Sequence, residues 1–340
     1  MSENKVIKVG VIGAGRIGKI HAESLATRVP GAVVTAIADV NLEAAQELAD
    51  KLHIPRVYAD YREIMQDPSI DAVAICSSTN THADLMIEAA AAGKHIFCEK
   101  PVDHSLAKID KAIEAVNKAG VKCQIGFNRR FDANFKKLRD LVKEGKIGDL
   151  HILRITSRDP APPPAEYVKS SGGMFLDMTI HDFDMARYLA GSEVLEVYAV
   201  GGVMVDPEIG KAGDIDTAVI TLKFANGAIG TIDNCRKAAY GYDQRAEVFG
   251  SGGMAATANN TPNTSVYSNA DGVHSEKPLY FFLERYMDSF VAEMREFIAA
   301  IREDAVTPVT VEDGRKPVVI AMAAKRSMEE NRPVKLTEVE

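Results

Sequence analysis

The 340-residue sequence lacks several features that would assign it to particular classes of protein. It has no apolar run of the roughly 20 residues needed to cross a bilayer, so we expect no membrane-spanning helix. It has no long block of Lys and Arg, and its formal net charge is −8, which makes nucleic acid and anionic membranes poor partners. The N-terminal residues show no signal-peptide layout, and we therefore expect a cytoplasmic protein.

Cysteine is also scarce, and no C-x-x-C pair is formed by the four cysteines, which are Cys76, Cys98, Cys123 and Cys235. Three of them follow apolar, strand-like runs. This pattern predicts buried free thiols in a reducing compartment rather than a disulfide framework.

The first third of the chain alternates strand-like and helix-like segments. Strand-like runs cover 6–12, 33–38, 72–76, 95–98 and 122–125, and helical patterns cover 17–27, 42–52, 80–92 and 105–119. Such βαβ alternation is typical of a doubly wound parallel sheet with helices on both faces. We therefore predict an α/β chain whose residues 1–126 form a dinucleotide-binding Rossmann domain.

The rest of the chain has a different rhythm. Strand-like runs cover 150–157, 194–205, 216–224, 228–235 and 244–250, and the last four follow one another without helices. Helical patterns cover 131–144, 281–303 and 312–329. Asn226-Gly227 between two of these runs is a strong hairpin signal. Residues 127–340 are therefore predicted to form a second, α+β domain with a mainly antiparallel sheet.

A glycine motif follows the first strand-like run. Gly13-Ala-Gly15-Arg16-Ile17-Gly18 is a G-x-G-x-x-G between a strand and a helix, which is the context of a dinucleotide site. The glycines permit a tight turn, close approach of a pyrophosphate and close packing of helix on strand. The alternative is a tight turn without a ligand, which the surrounding βαβ unit disfavours.

Asp39 ends the second strand-like run, 21 positions after Gly18. A carboxylate there can accept hydrogen bonds from both adenosine ribose hydroxyls, and it would repel a 2′-phosphate. Val40 and Asn41 offer no arginine for such a phosphate. We therefore predict NAD rather than NADP as the cofactor, the alternative being that Asp39 caps the next helix.

Further polar residues directly follow the strand-like run 72–76. Ser77, Thr79, Asn80 and His82 stand where cofactors lie in open α/β sheets, although Thr79 or Asn80 could equally be a helix N-cap.

The next strand ends in Glu99-Lys100-Pro101. We assign Glu99 and Lys100 to the cofactor site. Lys100 could also hydrogen-bond a substrate hydroxyl and stabilise a developing alkoxide. Taken alone, the tripeptide is more typical of a surface turn.

The segment 175–189 is predicted to be a helix with Asp177, His181, Asp184 and Tyr188 in one stripe between apolar borders. Oxidation of an alcohol needs a general base, and we assign this role to His181. Asp177 would orient the imidazole, and Asp184 would contact a substrate hydroxyl. The alternatives are a solvated polar face and a metal site. We predict no metal, because further ligands are not evident.

These three motifs, GAGRIG, EKP and LDMTIHDFD, in this order and spacing, resemble the glucose–fructose oxidoreductase/inositol dehydrogenase/MocA family over nearly the whole chain. The resemblance implies a Rossmann domain followed by an α+β domain with an open antiparallel sheet. It also implies that Lys100, Asp177 and His181 are catalytic and that Asp184 binds substrate. Arg129 and Tyr242 lie in segments that contribute to the polyol pocket of inositol dehydrogenases.

The segments GFNRRFD, SRDPAPPP and YGYD resemble the bacterial myo-inositol 2-dehydrogenases of that family. This implies NAD-dependent oxidation of myo-inositol at C2 to scyllo-inosose, in inositol catabolism, by a homotetramer. Dehydrogenases of scyllo-inositol, chiro-inositol or aldoses are the alternative within the family. Two further alternatives are a glycosidase that uses NAD transiently and a non-catalytic regulator that senses a dinucleotide.

Overall fold

The computed structural model describes residues 5–340. Residues 1–4, on which the prediction about a signal peptide partly rests, lie outside the described residues. No helix in the described part is long and apolar enough to cross a membrane. The chain forms two compact units, one comprising residues up to Phe131 with Asp288–Lys316, the other Asp132–Met287 with Pro317–Glu340.

Fifteen strands and thirteen α-helices make up the described chain. The strands are β1 Ile7–Ile12, β2 Ala32–Ala38, β3 Val57–Tyr58, β4 Ala72–Ile75, β5 His95–Glu99, β6 Cys123–Gly126, β7 Leu150–Arg158, β8 Val194–Gly202, β9 Thr217–Phe224, β10 Ile229–Cys235, β11 Asp243–Gly250, β12 Gly253–Ala256, β13 Val266–Asn269, β14 Gly272–Ser275 and β15 Val334–Lys335. The helices are α1 Arg16–Thr27, α2 Leu42–Leu52, α3 Arg62–Gln66, α4 Thr79–Ala91, α5 Leu106–Ala119, α6 Ala133–Lys143, α7 Ala165–Ser171, α8 Met174–Asp177, α9 Ile180–Ala190, α10 Pro207–Lys211, α11 Phe282–Arg285, α12 Met287–Glu303 and α13 Val311–Glu330.

The first unit is built on a parallel sheet of six strands in the order β3-β2-β1-β4-β5-β6. All four residues of β4 are buried, and so are five of the six residues of β1. Nearly continuous apolar strands of this kind are expected where helices cover both faces of a sheet. The predicted Rossmann fold of the N-terminal domain is confirmed.

Helix α12 returns to the first unit from far along the chain. Its buried residues Met294, Phe297, Ile298 and Ile301 recur at helical spacing and pack into the core that contains β1. A single boundary between residues 126 and 127 therefore does not separate the two compact units. Local strand and helix patterns carry no information about which distant core a helix will join.

The second unit is built on a seven-stranded sheet in the order β12-β11-β7-β10-β9-β8-β15. Its strand pairs are antiparallel except for β7 and β10. Buried and exposed residues alternate along β9, as expected for a sheet with one covered face. Asn226-Gly227 joins β9 to β10, with Gly227 at φ +88°, and the hairpin is confirmed. The predicted α+β class of this region is confirmed as well.

The four cysteines form no disulfide. Cys76, Cys98 and Cys123 are buried, and burial raises the pKa of each of these thiols. Cys235 differs from the prediction because it is only half-buried, at the end of β10.

The turn between β1 and α1 depends on two glycines. Gly13 has φ +106°, and a Cβ there would lie 2.6 Å from the carbonyl oxygen of Cys76. A Cβ on Gly18 would lie 2.0 Å from the carbonyl oxygen of Gly13. Gly15 has an extended backbone, and a Cβ there would meet nothing within 4 Å. The first and last glycines are therefore required by the fold, whereas the middle one borders open space.

We expect Gly18→Ala to destabilise the protein because its methyl group would collide with backbone, which cannot move aside as a flexible side chain can. Overpacking of about 3 kcal/mol corresponds to a Tm lower by roughly 6 °C, measured by thermal unfolding. Gly15→Ala is the matched control and should leave Tm unchanged. A Gly18→Ala variant as stable as the parent protein would contradict this account of the turn.

Candidate active site

The residues predicted to bind the cofactor lie at one edge of the first sheet. Strands in a parallel sheet end on the same side, and the order of this sheet reverses between β1 and β4, the position where nucleotides bind in such folds. The positions that follow the strands at this edge are Gly13 after β1, Asp39 after β2, Ser77 after β4, Lys100 after β5 and Arg129 after β6.

The N-terminus of α1 has the properties of a phosphate cradle. Its N-cap is Gly15, no side chain caps its free N–H groups, and its first turn contains no acidic residue. Arg16 is exposed and Ile17 is half-buried. Uncapped N–H groups and the positive end of the helix dipole favour an anion, and the open space above Gly15 leaves room for it. These residues fit the pyrophosphate of a dinucleotide.

Asp39 holds the glycine turn in place. Its Oδ2 accepts a hydrogen bond from the Ala14 N–H at 2.6 Å, and its Oδ1 accepts one from the Asn41 N–H at 2.8 Å. The N-cap of α2 is Asn41, whose side chain accepts the Ala44 N–H at 3.2 Å. Asp39 is therefore not the side-chain cap of that helix, and it stands directly beside the phosphate cradle.

The residues after β4 mostly bond to the protein itself. The two ring nitrogens of His82 lie 2.8 Å from the Pro101 carbonyl oxygen and 3.0 Å from that of Ser77. The Ser77 hydroxyl lies 2.7 Å from that of Thr81. His82 therefore connects the loop after β4 to the segment after β5, which is a structural role that its position in the sequence did not suggest.

Helix α4 begins shortly after Ser77. Thr79 and Asn80 occupy its first turn, and the N-cap position is Ser78, without a side-chain cap bond. The alternative that Thr79 or Asn80 caps this helix is therefore wrong. Their contact with the cofactor stays a prediction.

Glu99 is the most constrained residue of the Glu-Lys-Pro motif. It is 7% exposed, and its Oε1 lies 2.6 Å from Nε2 of His21, which is on α1. Its Oε2 accepts the backbone N–H of Lys100 at 3.1 Å. Lys100 is half-buried, and the peptide bond from it to Pro101 is cis. The motif is thus part of the packed unit rather than a solvated surface turn.

A third ionisable residue, Glu293 on α12, joins His21 and Glu99. One imidazole nitrogen and one carboxylate oxygen from each glutamate lie within 4.8 Å of one another, and Glu293 is fully buried. Burial, and then the charge of Glu99, raise the pKa of the Glu293 carboxyl well above its usual range. Sequence reasoning missed His21 and Glu293, because only the three-dimensional fold brings α1, β5 and α12 together.

In the second unit, Asp177 is held by two residues that sequence reasoning did not single out. Its carboxylate accepts hydrogen bonds from the Tyr167 hydroxyl at 2.9 Å and from Arg236 Nη2 at 3.0 Å. Arg236 directly follows β10, is 3% exposed and lies 3.5 Å from Asp159. Burial opposes its charge, but Asp177 and Asp159 outweigh that cost and raise the pKa of the guanidinium. The sequence signal that could have indicated Arg236 is its position directly after an amphipathic strand.

The predicted helix 175–189 is two helices, α8 and α9, which meet at Met178 and Thr179. The Thr179 hydroxyl donates to Asn234 Oδ1 at 2.7 Å, and the Asn234 amide donates to Asp182 Oδ2 at 2.9 Å. Asp182 and Asn234 are both buried. These bonds connect the start of α9 to β10, so Asp182 has a structural role.

The remaining predicted substrate residues are shielded from solvent. Asp184 is 1% exposed and lies 4.0 Å from Arg187 Nη1, and His181 is half-buried. These values do not fit the alternative of a solvated polar face. Tyr242 is buried and packs edge-on against Phe281 and Tyr286 in the second unit. Arg129, in the first unit, is buried in a 3₁₀ turn at Asn128–Phe131.

The chain matches known protein families over both regions. Residues 7–127 match the family described as "Oxidoreductase family, NAD-binding Rossmann fold", and residues 135–256 match the "GFO/IDH/MocA C-terminal domain". Over 98% of its length the chain is 54% identical to the myo-inositol 2-dehydrogenase of Thermotoga maritima, covering 99% of that protein. It is 42% identical over 97% of its length to the inositol 2-dehydrogenase of Rhizobium meliloti, again covering 99%.

A solved structure with a similar fold is the scyllo-inositol dehydrogenase from Lactobacillus casei with bound cofactor NAD(H) and scyllo-inositol. It superposes with a TM-score of 0.92 at 33% identity, covering 98% of this chain and 100% of that chain. The predicted family and cofactor are confirmed. The chain therefore belongs to the GFO/IDH/MocA oxidoreductase family, and it is an NAD-dependent oxidoreductase whose first unit is the NAD-binding Rossmann fold.

Proposed function

We propose that this enzyme oxidises myo-inositol at its C2 hydroxyl to scyllo-inosose. The observation that carries the proposal is the 54% identity, over nearly the whole of both chains, to a relative named myo-inositol 2-dehydrogenase. The polar residues at the edge of the first sheet and the shielded polar stripe on α8 and α9 support it. Both groups of residues suit the handling of a polyhydroxylated substrate beside NAD.

In this proposal His181 is the general base that takes the proton of the C2 hydroxyl. An imidazole suits this task because histidine ordinarily titrates near neutral pH. Lys100 donates a hydrogen bond to the same oxygen, and its positive charge stabilises the negative charge that develops there. Bound NAD supplies the acceptor for the hydride that leaves C2.

The chain's own residues prepare the cofactor site before any chemistry. The N–H groups at the start of α1 would hold the pyrophosphate, and Gly13, Gly15 and Gly18 keep side chains away from it. Asp39 would accept the adenosine ribose hydroxyls while it retains its bond to the Ala14 N–H. Its negative charge would oppose a 2′-phosphate at the same place.

Asp177 would orient the imidazole of His181 and stabilise its protonated form. Its bonds to Tyr167 and Arg236 support this role, because a carboxylate fixed on two sides presents a defined geometry. Asp184, Arg129 and Tyr242 would contact the other hydroxyls of the ring. We further propose that the enzyme is cytoplasmic and forms a homotetramer. Light scattering on the purified enzyme would check the oligomeric state.

The competing assignment is another inositol or an aldose as the preferred substrate. The similarity of this chain to the solved scyllo-inositol dehydrogenase supports scyllo-inositol as the second candidate substrate. The purified enzyme should be assayed with NAD and a panel of myo-inositol, scyllo-inositol, chiro-inositol, glucose and xylose, with NADH absorbance as the measurement. We expect the highest kcat/KM with myo-inositol. Preference for another member of the panel, or no NADH with any of them, would reject the proposal.

His181→Ala should lower kcat roughly 10²- to 10⁴-fold, because a positioned general base contributes about this much to proton transfer. NAD should bind as tightly as before, since the cradle lies on α1. The matched control is His274→Ala, which changes an exposed histidine on β14 and should leave kcat unchanged. Full activity of His181→Ala would show that another group is the base.

Asp39→Asn should narrow the preference for NAD over NADP roughly tenfold, measured as the ratio of the two kcat/KM values. The amide retains an oxygen for the Ala14 N–H but loses the charge that opposes the 2′-phosphate. Asp50→Asn, at an exposed position on α2, is the control. An unchanged ratio in Asp39→Asn would mean that cofactor choice is determined elsewhere.

A further inference from the structure

The first unit contains a buried cluster of ionisable side chains that the proposed chemistry does not use. His21 on α1 and Glu293 on α12 are fully buried, and Glu99 at the end of β5 is 7% exposed. One imidazole nitrogen of His21 and one carboxylate oxygen of each glutamate lie within 4.8 Å of one another. Burying three ionisable groups together costs free energy of folding, so we looked for the interaction that this arrangement supports.

Two hydrogen bonds connect His21 to Lys100 through the carboxylate of Glu99. A carboxylate only accepts, so the imidazole of His21 donates from Nε2 to Glu99 Oε1 across 2.6 Å. The other oxygen of Glu99 accepts the backbone N–H of Lys100 at 3.1 Å. The carboxylate therefore connects α1 to Lys100, the residue that donates a hydrogen bond to the reacting substrate oxygen in the proposed function.

The ring of His21 is itself held in position. It packs edge-on against Phe97, with centroids 4.8 Å apart, and against Phe290, with centroids 5.6 Å apart. We propose that His21 is a positioning residue for Lys100, acting through the Glu99 carboxylate, and that Glu293 completes the same buried cluster. This inference rests on the proposed role of Lys100.

Glu293 fits this cluster as a neutral carboxyl group. Neither of its oxygens has a hydrogen-bond partner among the described residues, and an ionised side chain would place a second negative charge beside Glu99. The buried Cys76 thiol is a further titratable group near it, and burial and the two glutamates raise the pKa of that thiol as well. Glu99 thus remains the single carboxylate that the His21 and Lys100 N–H groups share.

The distances favour a shared hydrogen bond over a metal ion. Two ligand atoms about 2.0 to 2.2 Å from a tetrahedral zinc ion lie roughly 3.3 to 3.6 Å apart. The 2.6 Å between His21 Nε2 and Glu99 Oε1 is shorter than that and is typical of a charge-assisted hydrogen bond. The cluster is therefore assigned to positioning rather than to metal binding.

Two substitutions at His21 separate positioning from packing. His21→Gln retains an N–H donor for Glu99 but loses the ring that packs on Phe97 and Phe290, whereas His21→Phe retains a ring and loses the donor. We expect kcat to fall about 10- to 100-fold in His21→Phe and at most about threefold in His21→Gln, because small displacements at a reacting group are costly. The KM for NAD should stay within about twofold of that of the parent enzyme in both.

The opposite order, with His21→Phe more active than His21→Gln, would show that the ring matters only for packing and would overturn the proposal. Equal losses in both variants would overturn it too. Ser24→Ala, at another buried position of α1, is the control and should leave kcat unchanged. A divalent metal ion bound stoichiometrically to the purified enzyme would also reject the assignment.

Glu293→Gln tests the neutral carboxyl group and remains available if His21→Phe does not fold. Above about pH 4.5 an unfolded glutamate loses its proton while the buried one retains it, so the parent protein loses stability as pH rises. Glutamine has no such proton. The Tm of Glu293→Gln relative to the parent should therefore be higher at about pH 8 than at about pH 5, and kcat should stay within about twofold.

A relative Tm that does not rise with pH, or a large loss of kcat in Glu293→Gln, would overturn this part of the proposal. These results are separable from the proposed function. If the parent enzyme forms no NADH with any polyol, the substrate assignment fails, whereas the pH dependence of Tm still tests the cluster. If His21→Phe retains full activity while His181→Ala loses it, the positioning role fails and the proposed function stands.

Discussion

The close approach of α1 to the turn after β1 is the constraint on which the first unit depends. It requires that Gly18 carry no Cβ, because the carbonyl oxygen of Gly13 occupies that space. With the helix placed there, its uncapped N-terminus borders the open space above Gly15. One turn further on, His21 reaches Glu99 at the end of β5. A single packing contact therefore determines both the phosphate cradle and the support of Lys100.

The second unit places its polar residues by pairing buried charge. Arg236 is enclosed at the end of β10, and it is compensated by Asp177 and Asp159, so that removing one partner would leave a costly unpaired charge. Asn234, near the end of the same strand, holds Asp182 at the start of α9. The sheet thus fixes both ends of the break between α8 and α9, where the proposed base and its partner lie.

Local signals were sufficient for the fold class and for NAD as the cofactor. The glycine motif followed a strand, Asp39 stood at the expected distance from it, and strand-helix alternation indicated the parallel sheet. Long-range packing was not predictable in this way. The return of α12 to the first core, the pairing of His21 with Glu99 and Glu293, and the enclosure of Arg236 all join residues that no local pattern connects. At the break between α8 and α9, Thr179 donates a hydrogen bond to a distant strand, and helical periodicity cannot predict such a contact.

The transfer of hydride from C2 of myo-inositol is the central claim, and deuterium labelling tests it most directly. The enzyme should be given NAD and myo-inositol that carries deuterium only at C2, and the reduced cofactor and the ketone should be analysed by mass spectrometry. The account predicts that deuterium appears in NADH and is absent from the product, scyllo-inosose. Reduced cofactor without deuterium, or a ketone that retains it, would contradict the account.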